Sequence, residues 1–90
     1  MLKRVEEVLI DDLGNKFWIF KSLLHREDGP AYEHVDGTKY WYINGKLHRE
    51  NGPAYEYLNR YKAWWLNGKN LTEQQWLTKV LFNEVKIQKI

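Results

Sequence analysis

Three stretches of this chain share one hydrophobic pattern. A lysine is followed by a run of aromatic and aliphatic residues: Lys16 by "FWIF", Lys39 by "YWYI" and Lys62 by "AWWL". Short runs rich in aromatic and β-branched side chains, closed by Asn-Gly at 44–45 and 67–68, predict β-strands. The runs recur at a step of 23 residues, which links Trp18 to Trp41 and Trp64, Gly29 to Gly52, and Pro30 to Pro53. Stepping back from "AYEHV" at 31–35 lands on "VLIDD" at 8–12, so three units cover about 5–70. A fixed period of this length marks a repeat architecture. The pattern then changes. Thr72 is followed three positions later by Gln75, Leu71 and Trp76 stand where a hydrophobic staple would, and Trp76, Leu77, Val80, Leu81 and Val85 form one stripe. This predicts a helix over about 73–86. The expected fold class is mainly β: an antiparallel meander of three repeated β-hairpins with one C-terminal α-helix, in a single domain spanning 1–90.

Turn chemistry sets which side chains share a face. Asp36-Gly37 between "AYEHV" and "TKYWYI" predicts a two-residue type I′ turn. Tyr32 is then expected opposite Trp41, and Glu33 opposite Tyr40. Carried through the repeat, one face holds Leu9, Trp18, Phe20, Tyr32, Trp41, Ile43, Tyr55, Trp64 and Leu66. The other holds Ile10, Phe17, Ile19, Glu33, Tyr40, Tyr42, Glu56, Ala63 and Trp65. Six strands span about 24 Å and one helix covers about 10 Å of that. Much semi-apolar sheet therefore stays uncovered, and such a surface usually marks an interaction site.

Composition narrows the classes. The 90 residues include no cysteine, so disulfides and thiolate metal sites are excluded. Five Trp, six Tyr and three Phe supply the apolar area that a small domain needs. No run approaches the ~18 apolar residues of a membrane span, and no secretory leader is readable, which leads us to expect no membrane association. The formal charge of +2 does not by itself call for nucleic acid.

The most conspicuous motif is the connector between units, "LHREDGPAYE" at 24–33 and "LHRENGPAYE" at 47–56. His25-Arg26-Glu27 and His48-Arg49-Glu50 offer a base, an anion clamp and an orienting carboxylate. A catalytic centre, however, needs one asymmetric constellation, whereas a structural turn needs the same residues in every copy. Ser22 is the only serine. The dyads therefore read as structural, satisfying connector backbone groups, and we expect no enzyme. Hydrolysis through the His-Arg pairs is the remotest reading. Gly29 and Gly52 are expected to supply a left-handed backbone, and Pro30 and Pro53 to open the next strand. His25, His34 and His48 lack metal-ligand spacing, and no phosphate-binding or dinucleotide fingerprint occurs; no metal or cofactor is expected. Trp18, Trp41 and Trp64 recur at one hairpin position, as core residues do. Tyr40, Tyr42 and Trp65 vary between units and are the better binding candidates, with Glu33, Arg26 and Arg49 beside them. Aromatic and basic residues together also admit nucleotide or nucleic-acid binding.

The motifs resemble a known type. "HREDGPA", "HRENGPA", "DGTKYWYING" and the closing "LTEQQW" together look like the MORN-like β-hairpin repeats of short bacteriophage and large-DNA-virus proteins. The first unit departs from that pattern in carrying Lys21-Ser22 where the others carry Asn-Gly. The resemblance covers about 5–85. It implies a small accessory viral protein acting in the host cytoplasm, and it supplies no catalytic residues. The expected function is non-enzymatic binding of a host protein, in its specific form the inhibition of a host defence system, with a homodimer as a further expectation. The alternative is a nucleotide or nucleic-acid binder, such as a sponge for a signalling nucleotide.

Overall fold

Two kinds of turn alternate along the chain, and they build the sheet. The computed structural model describes residues 7–58 and 60–84. Its elements are β1 (Glu7–Ile10), β2 (Lys16–Phe20), β3 (Leu23–Leu24), β4 (Tyr32–Glu33), β5 (Lys39–Tyr40), β6 (Tyr42–Ile43), β7 (Lys46–Leu47), β8 (Tyr55–Tyr57), β9 (Tyr61–Leu66), β10 (Lys69–Leu71) and α1 (Glu73–Glu84). The main sheet runs β1-β2-β4-β5-β8-β9-β10, with β3 also on β2 and a separate β6-β7 pair. All pairings are antiparallel. The architecture is thus a β-hairpin meander with one C-terminal helix.

The tight turns are at 21–22, 44–45 and 67–68. Both central residues have positive φ in each: 52° and 65° at Lys21-Ser22, 50° and 79° at Asn44-Gly45, 50° and 80° at Asn67-Gly68. The flanking pairs Phe20↔Leu23, Ile43↔Lys46 and Leu66↔Lys69 make these two-residue loops of the I′ kind. Lys21-Ser22 adopts the same backbone as the Asn-Gly copies without their ease of reaching it.

The turn at Asp36-Gly37 is not of this kind. The His34 N–H donates to the Thr38 carbonyl at 2.9 Å and the Gly37 N–H to the His34 carbonyl at 3.0 Å, so the loop is the three residues 35–37. Gly37, at φ 96°, supplies the left-handed step that closes such a loop. The extra residue moves the pairing by one. Tyr32 faces Tyr40 and Glu33 faces Lys39, in place of the expected Trp41 and Tyr40. Because side chains alternate strictly, a one-residue shift exchanges faces. Tyr32 and Tyr55 leave the tryptophan face, and Glu33 and Glu56 take their places. Leu9 and Ile10 exchange in the same way, since Leu9 pairs with Phe17 and Ile10 with Lys16.

The corrected register separates the sheet into two chemically distinct ladders. One is Leu9, Phe17, Tyr32, Tyr40, Tyr55, Ala63. The other is Lys16, Glu33, Lys39, Glu56, Lys62, alternating in sign across five strands. Opposite charges placed directly across strands each contribute about 0.2–1 kcal/mol, so this row helps set the register that the tyrosines follow.

The helix begins as its caps dictate. The Gln75 N–H donates to Thr72 Oγ1 at 3.1 Å and the Thr72 N–H to Gln75 Oε1 at 3.0 Å, a reciprocal capping box. Leu71, Trp76 and Val80 join Leu66 in the one apolar core cluster among the described residues, with Trp64 packed on it. Leu77 and Leu81, expected on the same stripe, are exposed: the helix meets the sheet along a narrow line. Residues 85 and 86 of the expected helix, Val85 among them, lie outside the described residues.

Candidate functional site

The connectors fold around their arginines. The Arg26 guanidinium lies 4.1 Å from the Trp18 ring centre and that of Arg49 lies 3.8 Å from Trp41. Arg26 Nε donates to Asp28 Oδ1 at 3.0 Å and its Nη1 to the Pro30 carbonyl at 3.1 Å. Arg49 does the same to Asn51 Oδ1 at 3.0 Å and to the Pro53 carbonyl at 3.0 Å. The one difference between the two motifs, Asp28 against Asn51, preserves the accepting oxygen. Glu33 lies 3.5 Å from Arg26 and Glu56 3.9 Å from Arg49, so the displaced carboxylates find the cations of the tryptophan face. Burial pushes the Arg49 pKa down while Glu56 opposes the shift; guanidinium stays charged throughout the usable pH range.

This packing explains the glycines differently from the sequence expectation. Neither Gly29 nor Gly52 is among the residues with positive φ. A Cβ at Gly29 would stand 2.7 Å from Arg26 Cζ, and one at Gly52 2.8 Å from Arg49 Cζ. Glycine is needed so that the guanidinium can fold back against its own loop. After the proline comes an alanine, Ala31 or Ala54, each fully buried. The alanines receive the Trp18 and Trp41 amide bonds at 2.8 Å.

The histidines reach forward to the next unit. His25 Nδ1 accepts the Asn44 N–H and His48 Nδ1 the Asn67 N–H, each at 2.9 Å. Each ring therefore caps a tight turn 19 residues ahead. An accepting Nδ1 places the neutral ring's proton on Nε2, which in His48 faces Glu50 Oε2 at 3.4 Å. In both rings the lone pair that a general base would use is committed to a backbone amide. Between the two connectors lies a groove of about 590 Å³, lined by Arg26, Asp28, Trp41, Ile43, His48 and Arg49 among others. Of the binding candidates it gathers Arg26 and Arg49 and leaves out Glu33, Tyr40, Tyr42 and Trp65.

Tyr40, Tyr42 and Trp65 are on the opposite face. Phe17 stacks on Tyr32 with ring centres 4.7 Å apart at 11°, and Tyr32 on Tyr40 at 5.2 Å and 18°. Tyr55 continues the row 5.0 Å from Tyr40, and Tyr42 stands 6.4 Å away. Trp65 shares this face by its register beside Ala63, and the rings are half-buried. Burial, then the neighbouring phenols of Tyr55, Tyr32 and Tyr42, push the Tyr40 pKa up, so its hydroxyl remains a donor at physiological pH. Sequence reasoning placed Phe17 on this surface with Tyr40 and Tyr42 but missed Tyr32 and Tyr55. The signal was in the first unit: Leu13-Gly14 cannot be a type I′ pair, and a repeat that turns through "DDLGN" turns the same way through "HVDGT".

Among the described residues no three His, Asp or Glu converge to hold a metal ion, and no helix is long and apolar enough to cross a membrane. Comparison with family models, curated proteins and solved structures finds no match.

Proposed function

We propose that this chain is a non-enzymatic binding protein that docks a protein partner on its tyrosine face. With the viral resemblance of its motifs, that partner is a host protein, and engaging a host defence component is the specific form of the proposal. The observation that carries the reading is the aromatic row in which Phe17, Tyr32 and Tyr40 stack and Tyr55 continues at a tilt, with Tyr42 beside it, on the side of the sheet away from the helix.

The stacking also weighs between a protein and a nucleotide. Rings at 11° and 18° to one another use their faces on each other, so edges and phenols are what a ligand meets. Nucleobases bind aromatic residues face to face; protein partners take tyrosine edges and hydroxyls readily. The arginines that could meet phosphate lie on the other face, over Trp18 and Trp41.

The test compares the wild-type chain with the Tyr42→Glu/Trp65→Glu variant, each immobilised and exposed to host lysate at low and high salt. The expected result is one defined protein retained at about 0.5 M salt by the wild type and lost by the folded variant, because an apolar contact is little screened. Retention of nucleic acid that falls steeply with salt would favour the nucleotide reading. Equal capture by both chains would place the contact elsewhere.

A further inference from the structure

The repeat shows what each of its own edges is shaped to receive. Inside the molecule, the first strand of a unit always packs between two middle strands. β4 lies between β2 and β5, with Lys16↔Glu33 and Phe17↔Tyr32 on one side. β8 lies between β5 and β9, with Lys39↔Glu56 and Tyr40↔Tyr55 in the same register. β1 is the corresponding strand of the first unit, and among the described residues it has a neighbour on one side alone. Its Val8, Leu9 and Ile10 are 46%, 54% and 62% exposed. At the other end, Lys62 and Ala63 of β9 correspond to Lys16-Phe17 and Lys39-Tyr40. They pair with β8 on one side, while β10 starts its pairing on the other side at Trp64. So, among the described residues, one end lacks a middle strand and the other lacks a first strand.

We infer that the two open edges are complementary to each other and that the occupant of each is a second copy of this chain, joined head to tail. The internal pairings fix the register: Lys62 of one copy opposite Ile10 of the next, and Ala63 opposite Leu9. Charge supports the same partner. The turn beside β1 carries exposed Asp11 and Asp12, and the turn beside β9 carries exposed Arg60 with Lys62. In the internal geometry successive wide turns are neighbours, as the Val35 N–H to Asn15 Oδ1 bond of 2.8 Å shows. The joint therefore sets an acidic turn beside a basic one. A joint between two different surfaces does not close by itself, so association continues beyond a dimer unless the ring closes. This inference concerns the sheet edges and is independent of the partner on the tyrosine face.

Position 10 makes the inference testable, because Ile10 stands where the other units carry Glu33 and Glu56. Analytical ultracentrifugation over a wide concentration range should show the wild-type mass rising above that of a dimer. Ile10→Glu restores the Lys–Glu pair at the joint and should tighten association about two- to fivefold. Ile10→Lys sets like charges opposite each other and should weaken association about two- to fivefold, and adding Lys62→Glu to it should reverse that loss. That reversal is the discriminating result, because a joint between two β1 edges would not respond to position 62. Thermal melts of each variant separate loss of association from loss of fold. A wild type and an Ile10→Glu variant that stay monomeric throughout would overturn the inference, as would an Ile10→Glu assembly indifferent to Lys62→Glu.

Discussion

Trp18 and Trp41 lie under arginines, whereas Trp64, their third copy, lies under a helix. The 23-residue step that joins Arg26 to Arg49 arrives next at Thr72, the helix cap, and the step from His25 to His48 arrives at Leu71. Where a third connector would begin, the chain substitutes a helix whose Trp76 and Val80 close over Trp64. The tie between neighbours survives in altered form: Trp76 Nε1 donates to the Arg49 carbonyl at 2.8 Å. The contrast separates two problems. Between units the lid must be thin and must lead into the next strand, so a folded-back cation serves. After the third unit the chain leaves the repeat, so the lid can be a helix that turns an apolar stripe inward, the place a capping element takes in repeat proteins.

The largest effect should come from the apolar lid. Trp76→Ala is expected to cost about 3 kcal/mol or more in chemical unfolding, through a lost core side chain and an orphaned Arg49 carbonyl. An effect no greater than a surface substitution would mean that the helix is an appendage and the two lids are not equivalent. Gly52→Ala probes the polar lid. It should cost about 1–3 kcal/mol by pushing the Arg49 guanidinium off Trp41, and nearly nothing in an Arg49→Ala background. An equal cost in both backgrounds would assign the glycine to backbone conformation instead. Thr72→Ala removes the acceptor for the Gln75 amide and should cost about 1 kcal/mol.

The smallest effect sharpens the turns. Side-chain hydrogen bonds hold the Asp11 and Asp36 pKa values below the usual 3.8, from Asn15 in the first turn and Thr38 in the second. A carboxylate depressed in the folded state stabilises the fold above its unfolded pKa and loses that contribution as pH falls through the folded one. The contribution of these two carboxylates should therefore be constant down to about pH 5 and decline through 3.8 and below, with Asp36→Asn flattening part of that decline. A melting temperature that does not change in that window would remove the carboxylates from the account of the wide turns.

Much of the fold was legible in the sequence because it depends on spacing. The step of 23 required three equivalent units, and Thr72, Gln75, Leu71 and Trp76 stated the helix start by position alone. What escaped depends on details that one dipeptide leaves open. Asp36-Gly37 serves a two-residue turn or the last two residues of a three-residue one, and the choice decides whether Tyr32 joins Trp41 or Tyr40. Gly29 and Gly52 looked like turn glycines because the guanidinium that crowds them comes from three residues earlier, a folding-back that no periodicity reveals. Tyr40, Tyr42 and Trp65 were singled out on a different ground, since they vary where Trp18, Trp41 and Trp64 repeat.

On the proposed function, the copied motif builds the sheet while the tyrosine face binds. The most direct measurement takes two variants through the same pair of assays, thermal unfolding and retention of the protein captured from host lysate. His25→Gln/His48→Gln should lower stability by about 1 kcal/mol for each turn amide left short of its acceptor, and should keep the partner at temperatures where it is folded. Tyr42→Glu/Trp65→Glu should keep the fold and lose the partner. The opposite division, with partner binding lost from a folded histidine variant and kept by the tyrosine-face variant, would contradict the claim.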